Sequence, residues 1–286
     1  MSDVARRGPA RRTRNLWLLS AAYGAGFIAL YAAAVLTPFG QLVDAGSLSL
    51  FGWLRSDAWL AFYDGRDIIT YCVLAGAAVA VLSGVLERRW APVVYSAVLV
   101  GIVSVVAIAM KELAPRPDLG EFAYAHNTFP SGHTAVSLAA AVAIIWCAPR
   151  WMSPVLVLVL GGLVSYVALG SVFSLAHRGS DSVGGALLAG AVSCGLAALW
   201  GRTEPVSSRL RRGSVLAGAV LLGAGLAALV GAVALDGGDH ALQLGLAIVL
   251  CTLGLIVSVL AVHRPFLAPT TTTHPRSETT GNSERL

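Results

Sequence analysis

Polar and apolar positions in this 286-residue chain are segregated into blocks, and eight long apolar runs carry no charged residue. The runs are Leu16 to Leu36, Ile68 to Leu86, Trp90 to Met110, Thr134 to Ala148, Met152 to Ala176, Ser182 to Gly201, Gly213 to Leu235 and Ala241 to Val262. A hydrocarbon layer about 30 Å thick takes about 20 helical residues, each rising about 1.5 Å. Seven runs meet that length. The fourth is shorter, so its helix is expected to begin earlier, inside protein rather than lipid. The pattern predicts an all-α, polytopic membrane helix bundle.

Loops rich in arginine and lysine stay cytoplasmic. With the N terminus inside, 15 of the 20 cationic side chains fall on the cytoplasmic side, and only Arg55, Arg66, Lys111, Arg116 and Arg178 fall outside. Both termini are therefore expected in the cytoplasm, with the protein in the cell membrane. The basic start followed by an apolar run has the order of a secretion signal, with a small-residue site at Ala32 to Ala34, but the run is too long and many spans follow. It is read as an uncleaved first helix. Between the first two runs, Thr37 to Arg66 carries Phe51, Trp53, Trp59, Phe62 and Tyr63, which suits a segment at the outer headgroup level or an ordinary loop. The expected organisation is a basic N terminus over 1–15, a membrane core over 16–201, a loop and two further helices over 202–262, and a disordered tail over 263–286.

Composition agrees with a bilayer as solvent. Charged residues make up 12% and hydrophobic residues 56%, with a mean hydropathy of +0.74. So little charge excludes a disordered chain, and a net charge of +5 without a charged surface excludes a nucleic-acid partner. Cys72, Cys147, Cys194 and Cys251 lie within apolar runs without zinc-site or disulfide spacing, and read as small buried hydrophobes. Ala186, Gly190 and Cys194, four residues apart, offer a small-residue face for helix packing. Asp236, Gly237, Gly238, Asp239 and His240 read as turn formers between the last two spans.

The unusual polar residues gather in three segments at helix ends on the outer side: Lys111 to Asp118, Phe129 to His133 and His177 to Asp181. Each has an ordinary structural explanation. Lys111 and Arg116 can snorkel to the interface, Ser131 suits a helix N-cap after Pro130, and Ser180 or Asp181 can cap the next helix. Together they offer an ammonium, a guanidinium, two imidazoles and a carboxylate to something anionic. A helix start at Gly132 presents backbone N–H groups to phosphate, and a carboxylate four residues from His177 can fix that ring's tautomer and leave its other nitrogen free to attack.

Lys111 with Arg116-Pro117, then Pro130-Ser131-Gly132-His133, then His177 with Asp181, resemble the three ordered signature segments of the type 2 phosphatidic acid phosphatase superfamily. The resemblance spans roughly Ile68 to Gly201, the last five helices of that family's six-helix core. It implies cofactor-free, metal-independent hydrolysis of a phosphate ester or anhydride through a phosphohistidine. His177 would be the nucleophile, oriented by Asp181, with His133 as general acid. Lys111, Arg116, Ser131 and Gly132 would hold the phosphoryl oxygens. The chain departs from the family pattern twice. Four residues rather than six separate Lys111 from Arg116, and Gly170-Ser171 stand where the third segment begins with Ser-Arg. Arg178 is a candidate to replace the missing phosphate-binding charge.

The expected function is hydrolysis of a membrane lipid phosphate at the extracytoplasmic face: an isoprenoid pyrophosphate, phosphatidylglycerol phosphate or phosphatidic acid. The alternatives are a lipid transporter or flippase and a noncatalytic phospholipid-binding protein. A transporter is expected to carry charge at mid-membrane, and the eight runs hold none.

Overall fold

The computed structural model describes residues 3–49, 58–120, 126–148, 154–200, 208–234 and 240–263. Among these residues the protein is a helical bundle without strands, formed by α1 (Asp3–Leu36), α2 (Pro38–Ser49), α3 (Ala58–Leu86), α4 (Trp90–Leu113), α5 (Gly132–Cys147), α6 (Pro154–Phe173), α7 (Gly179–Trp200), α8 (Ser208–Ala234) and α9 (His240–Val262). Helices suit these apolar runs because lipid offers the backbone no hydrogen-bond partner and a helix satisfies its own. Seven are long and apolar enough to cross a membrane: α1, α3, α4, α6, α7, α8 and α9. Their outer surfaces expose large apolar side chains such as Leu82, Leu86, Ile108, Leu158 and Leu216, as lipid contact requires.

The short fourth run becomes α5, which starts two residues before Thr134 and is buried along nearly its whole length. It packs against α3, α4, α6 and α7, with Leu138, Val142, Ile145 and Trp146 inaccessible to solvent. Small residues set the helix spacing elsewhere, as the sequence predicts. A Cβ on Gly190 would come within 2.9 Å of both Tyr23 and Val259, so α7 fits between α1 and α9 at that glycine. α8 and α9 form an antiparallel hairpin, in which Gly218 meets Gly254 and Gly225 meets Cys251 and Ala247.

Two expectations from the sequence change. The second membrane helix does not begin at Ile68. It begins at Ala58, so Arg66 and Asp67 lie within α3 and its membrane-crossing stretch, Ala61–Leu86, is not free of charge. Their polar contacts within the bundle, described below, make up for the hydropathy that would have started the run later. The segment after α1 also folds. Pro38 cannot continue α1, and the Thr37 hydroxyl accepts the Gly40 N–H at 3.0 Å, which caps α2. α2 packs on α1, α7 and α9.

The cysteines are all free thiols. Cys147 and Cys194 are buried, Cys251 is half-buried and Cys72 is exposed, so Cys72 departs from the expected burial because its face of α3 turns outward. The turn over 236–239 and the tail from 264 onward lie outside the described residues.

At the end away from the polar cluster, His263 joins the helices. The Trp146 indole donates to its Nδ1 at 3.3 Å, and its Nε2 lies 2.9 Å from the Ser193 hydroxyl. Arg89 donates to the Cys147 carbonyl at 2.9 Å, satisfying the last turn of α5.

Candidate active site

The three polar segments converge where α4 ends and where α5 and α7 begin. Ser131 is the N-cap of α5, with its hydroxyl accepting the Thr134 N–H at 3.4 Å. The Ser131 N–H donates to the Asp181 carbonyl at 2.8 Å, which joins the second and third segments through the backbone. Among the described residues, the N–H groups of Gly132 and His133 have no acceptor. The Lys111 ammonium lies 3.7 Å from where a Cβ on Gly132 would stand, so the first segment reaches the same helix start.

His177 sits in the turn between α6 and α7, its N–H bonded to the Ser171 carbonyl at 3.0 Å. Its Nδ1 is 3.2 Å from Asp181 Oδ2, and the same oxygen accepts the Arg178 N–H at 3.0 Å. Asp181 is therefore both half of a capping box for α7 and an anchor for the imidazole. The pair leaves His177 Nε2 directed away from the carboxylate. The rings of His133 and His177 are 6.4 Å apart between centroids, inclined at 65°.

His133 has a partner that sequence reasoning missed, since its Nε2 lies 3.2 Å from Asp67 Oδ1. Arg66 pairs with the same oxygen through Nε at 2.8 Å and Nη2 at 2.7 Å. Burial, and after it the Arg66 charge, push the His133 imidazole down to about 4, while Asp67 pulls it upward. At neutral pH His133 is thus neutral, and an arriving phosphate adds negative charge that favours its proton. The only signal for Arg66 and Asp67 in the sequence was a positive charge on the disfavoured side of the membrane.

Arg116 and Arg178 stand with a second missed carboxylate. Arg116 Nη2 is 3.9 Å from Asp44 Oδ2, and among the described residues both terminal amines of Arg116 lack a hydrogen-bond partner. Arg178 is fully buried and donates to the Thr128 hydroxyl at 3.2 Å. Asp44, on α2, accepts the Ser180 N–H at 3.1 Å and the Ser180 hydroxyl at 2.8 Å, while Ser47 accepts the Gly179 N–H at 3.0 Å. The first N–H groups of α7 are thus taken up by α2, whereas those of α5 are not. Burial, and then the Asp181 charge, push the Asp44 carboxyl up to about 7.

The loop after α4 is held in several places. Asn127 donates to the Met110 carbonyl at 2.8 Å and Gln41 to the Pro117 carbonyl at 2.8 Å, while the Tyr31 hydroxyl donates to the Pro115 carbonyl. These contacts carry the chain from Lys111 past Arg116 and back to Ser131. Between α1, α2, α7 and the α8–α9 hairpin lies an apolar cavity of about 360 Å³, lined by Leu30, Val183, Leu226, Leu244 and Ile248 and touching Asp44 and Ser180.

Fold and site together define a polytopic helical membrane protein with a cluster of cationic and imidazole side chains at one end of the bundle. Residues 108–205 match the family model of the PAP2 superfamily. The match starts in the last turns of α4 and ends just beyond α7, so it takes in all three polar segments and is consistent with the superfamily those motifs resemble. No curated protein and no solved structure matches the chain. A PAP2 segment within membrane-spanning helices supports a membrane phosphatase.

Proposed function

We propose that the protein hydrolyses the phosphate monoester or pyrophosphate of a membrane lipid, through a phosphohistidine, at the extracytoplasmic face of the cell membrane. The observation that carries this reading is the pairing of His177 Nδ1 with Asp181 at 3.2 Å, with His133 facing it across 6.4 Å. Asp181 keeps the proton on Nδ1 and leaves the Nε2 lone pair to attack phosphorus. The N–P bond forms as the bond to the leaving oxygen breaks, and that oxygen takes a proton from His133. Water then attacks phosphorus, passes a proton to His133 and releases phosphate from His177.

Lys111, Arg116, Ser131 and the Gly132 N–H bind the phosphoryl oxygens and stabilise the charge that builds in the transition state. Arg178 adds positive charge from its buried position beside Thr128. No metal or cofactor takes part in these steps. The apolar cavity beside Asp44 and Ser180 supports a substrate with a hydrocarbon tail, such as an isoprenoid pyrophosphate, phosphatidylglycerol phosphate or phosphatidic acid.

The test is phosphate release by detergent-purified protein from these three lipids, with EDTA present and His177→Ala alongside. Release that survives EDTA and disappears in the variant is expected. No release from any of the three would turn attention to a lipid transporter or a noncatalytic lipid-binding protein. The charges within α3 do not favour a transporter, because Asp67 pairs with His133 at the end of the bundle.

A further inference from the structure

The third segment lacks the arginine that its family pattern supplies, with Gly170 and Ser171 in its place. We propose that Arg66, on α3, supplies that guanidinium to the phosphoryl group and is held in position by Asp67. The inference rests on the phosphatase reading of the site.

α3 reaches the position of the missing residue directly. A Cβ on Gly170 would stand 3.7 Å from the Arg66 Cβ and 3.6 Å from the Phe62 carbonyl oxygen. One turn earlier on α6, Tyr166 meets Gly65, where a Cβ would fall 2.5 Å from its hydroxyl oxygen. The two helices are therefore in close contact along this stretch, and Arg66 leaves α3 beside the residue that precedes Ser171. Ser171 cannot do the work itself. It is fully buried, and its hydroxyl donates to the Val167 carbonyl at 2.7 Å.

The Arg66 side chain is fixed and buried, at 2% exposure. An arginine inside a membrane protein is costly and is kept where it has a task. Its guanidinium lies over the Tyr63 ring at 4.3 Å from the centroid. Both bonds to Asp67 go to one oxygen and use Nε and Nη2. A guanidinium carries five N–H donors in a rigid fork, so Nη1 remains for an oxygen of a ligand. Asp67 does not simply neutralise Arg66, since the same oxygen also engages His133. The pair is thereby joined to a catalytic imidazole, and the Arg66 charge acts on that ring. Arg178 donates to the Thr128 hydroxyl, and its charge also acts on Asp44 and Arg116.

The experiment uses the full chain in detergent. It measures kcat/KM for the preferred lipid, the affinity for orthovanadate as a phosphate analogue, and the melting temperature, for wild type, Arg66→Ala and Arg66→Lys. Arg66→Ala is expected to lose about 10²-fold or more in kcat/KM, the scale of one oxyanion donor. Its orthovanadate affinity should fall about tenfold or more, the factor that about 1.4 kcal/mol of lost interaction represents. Arg66→Lys should recover little, because an ammonium cannot reproduce the fork. Added guanidinium chloride should restore part of the activity of Arg66→Ala and none to Arg66→Lys.

Orthovanadate affinity within about twofold of wild type in Arg66→Ala, a gap of under half a kcal/mol, would overturn the proposal. So would a loss shared with a lowered melting temperature and not rescued by guanidinium, which marks a structural ion pair. If wild type binds orthovanadate but hydrolyses none of the lipids, the phosphatase reading fails while the affinities still decide the role of Arg66. Wild type that binds no orthovanadate would overturn both.

Discussion

The backbone N–H of Ser131 donates to the carbonyl of Asp181 at 2.8 Å, joining two helix starts that are 50 residues apart in sequence. Gly185 makes the approach possible. A Cβ there would fall 2.7 Å from the Ser131 carbonyl oxygen and 3.1 Å from the Ala135 nitrogen, both of them backbone atoms that cannot rotate away.

Gly185→Ala is therefore expected to separate α5 from α7. Forcing a methyl into such a contact costs about 1–3 kcal/mol. Activity should fall by more than the loss of folded protein, because His133 and His177 move apart. Thermal melting and kcat measured on the same preparation check this. A variant with normal kcat and a lowered melting temperature would show that the contact supports stability alone.

Asp67→Asn tests how His133 holds its proton. Asp67 pulls the imidazole upward, but burial and then the Arg66 charge outweigh it, and the ring stands at about 4. A general acid must be protonated, so its loss of a proton sets the alkaline limb of kcat. Without the carboxylate the ring gives up its proton more easily, and that limb is expected to move to lower pH. A limb that stays in place or moves upward would remove Asp67 from this role.

Asp44→Asn tests the buried carboxylate between α2 and α7. The Asp44 carboxyl is raised to about 7 from an ordinary value of 3.8. A raised group contributes stability that is complete below its unfolded value and is lost as pH rises through its folded value. The Asp44 contribution to the wild-type melting temperature thus falls between about pH 4 and pH 7, against the opposite contribution of His133, and asparagine, which stays neutral, should gain on wild type across that window. Parallel curves for the two proteins would contradict the assignment.

A cysteine at Gly120 reports on the side of the membrane. Gly120 is exposed, in the loop between Arg116 and Ser131. The native thiol of Cys72 is also exposed, so the background must carry Cys72→Ser. Labelling of intact cells by a membrane-impermeant thiol reagent is expected. Labelling only after the bilayer is opened would put the site in the cytoplasm.

The residues that the sequence made legible are those whose role follows from local spacing. Charge-free runs near bilayer length gave the crossing helices, because lipid leaves the backbone no other solution. Ser131 was readable as a cap from Pro130 and the helix that follows, and Asp181 from its four-residue spacing to His177.

What escaped were contacts between elements distant in the chain. The Asp67–His133 pair spans 66 positions, and the Asp44–Ser180 bonds span 136. Hydropathy also started the second membrane helix at Ile68, although the structure continues it back to Ala58.

The sequence by itself determined that the chain folds as membrane helices, and which end of them carries the cationic and imidazole groups, because burial in lipid and helix-end chemistry are local constraints. Only the tertiary structure decided that Arg66 and Asp67 join that end and that α2 caps α7. A buried charge takes whichever partner packing brings within about 3 Å, and no sequence period encodes that choice.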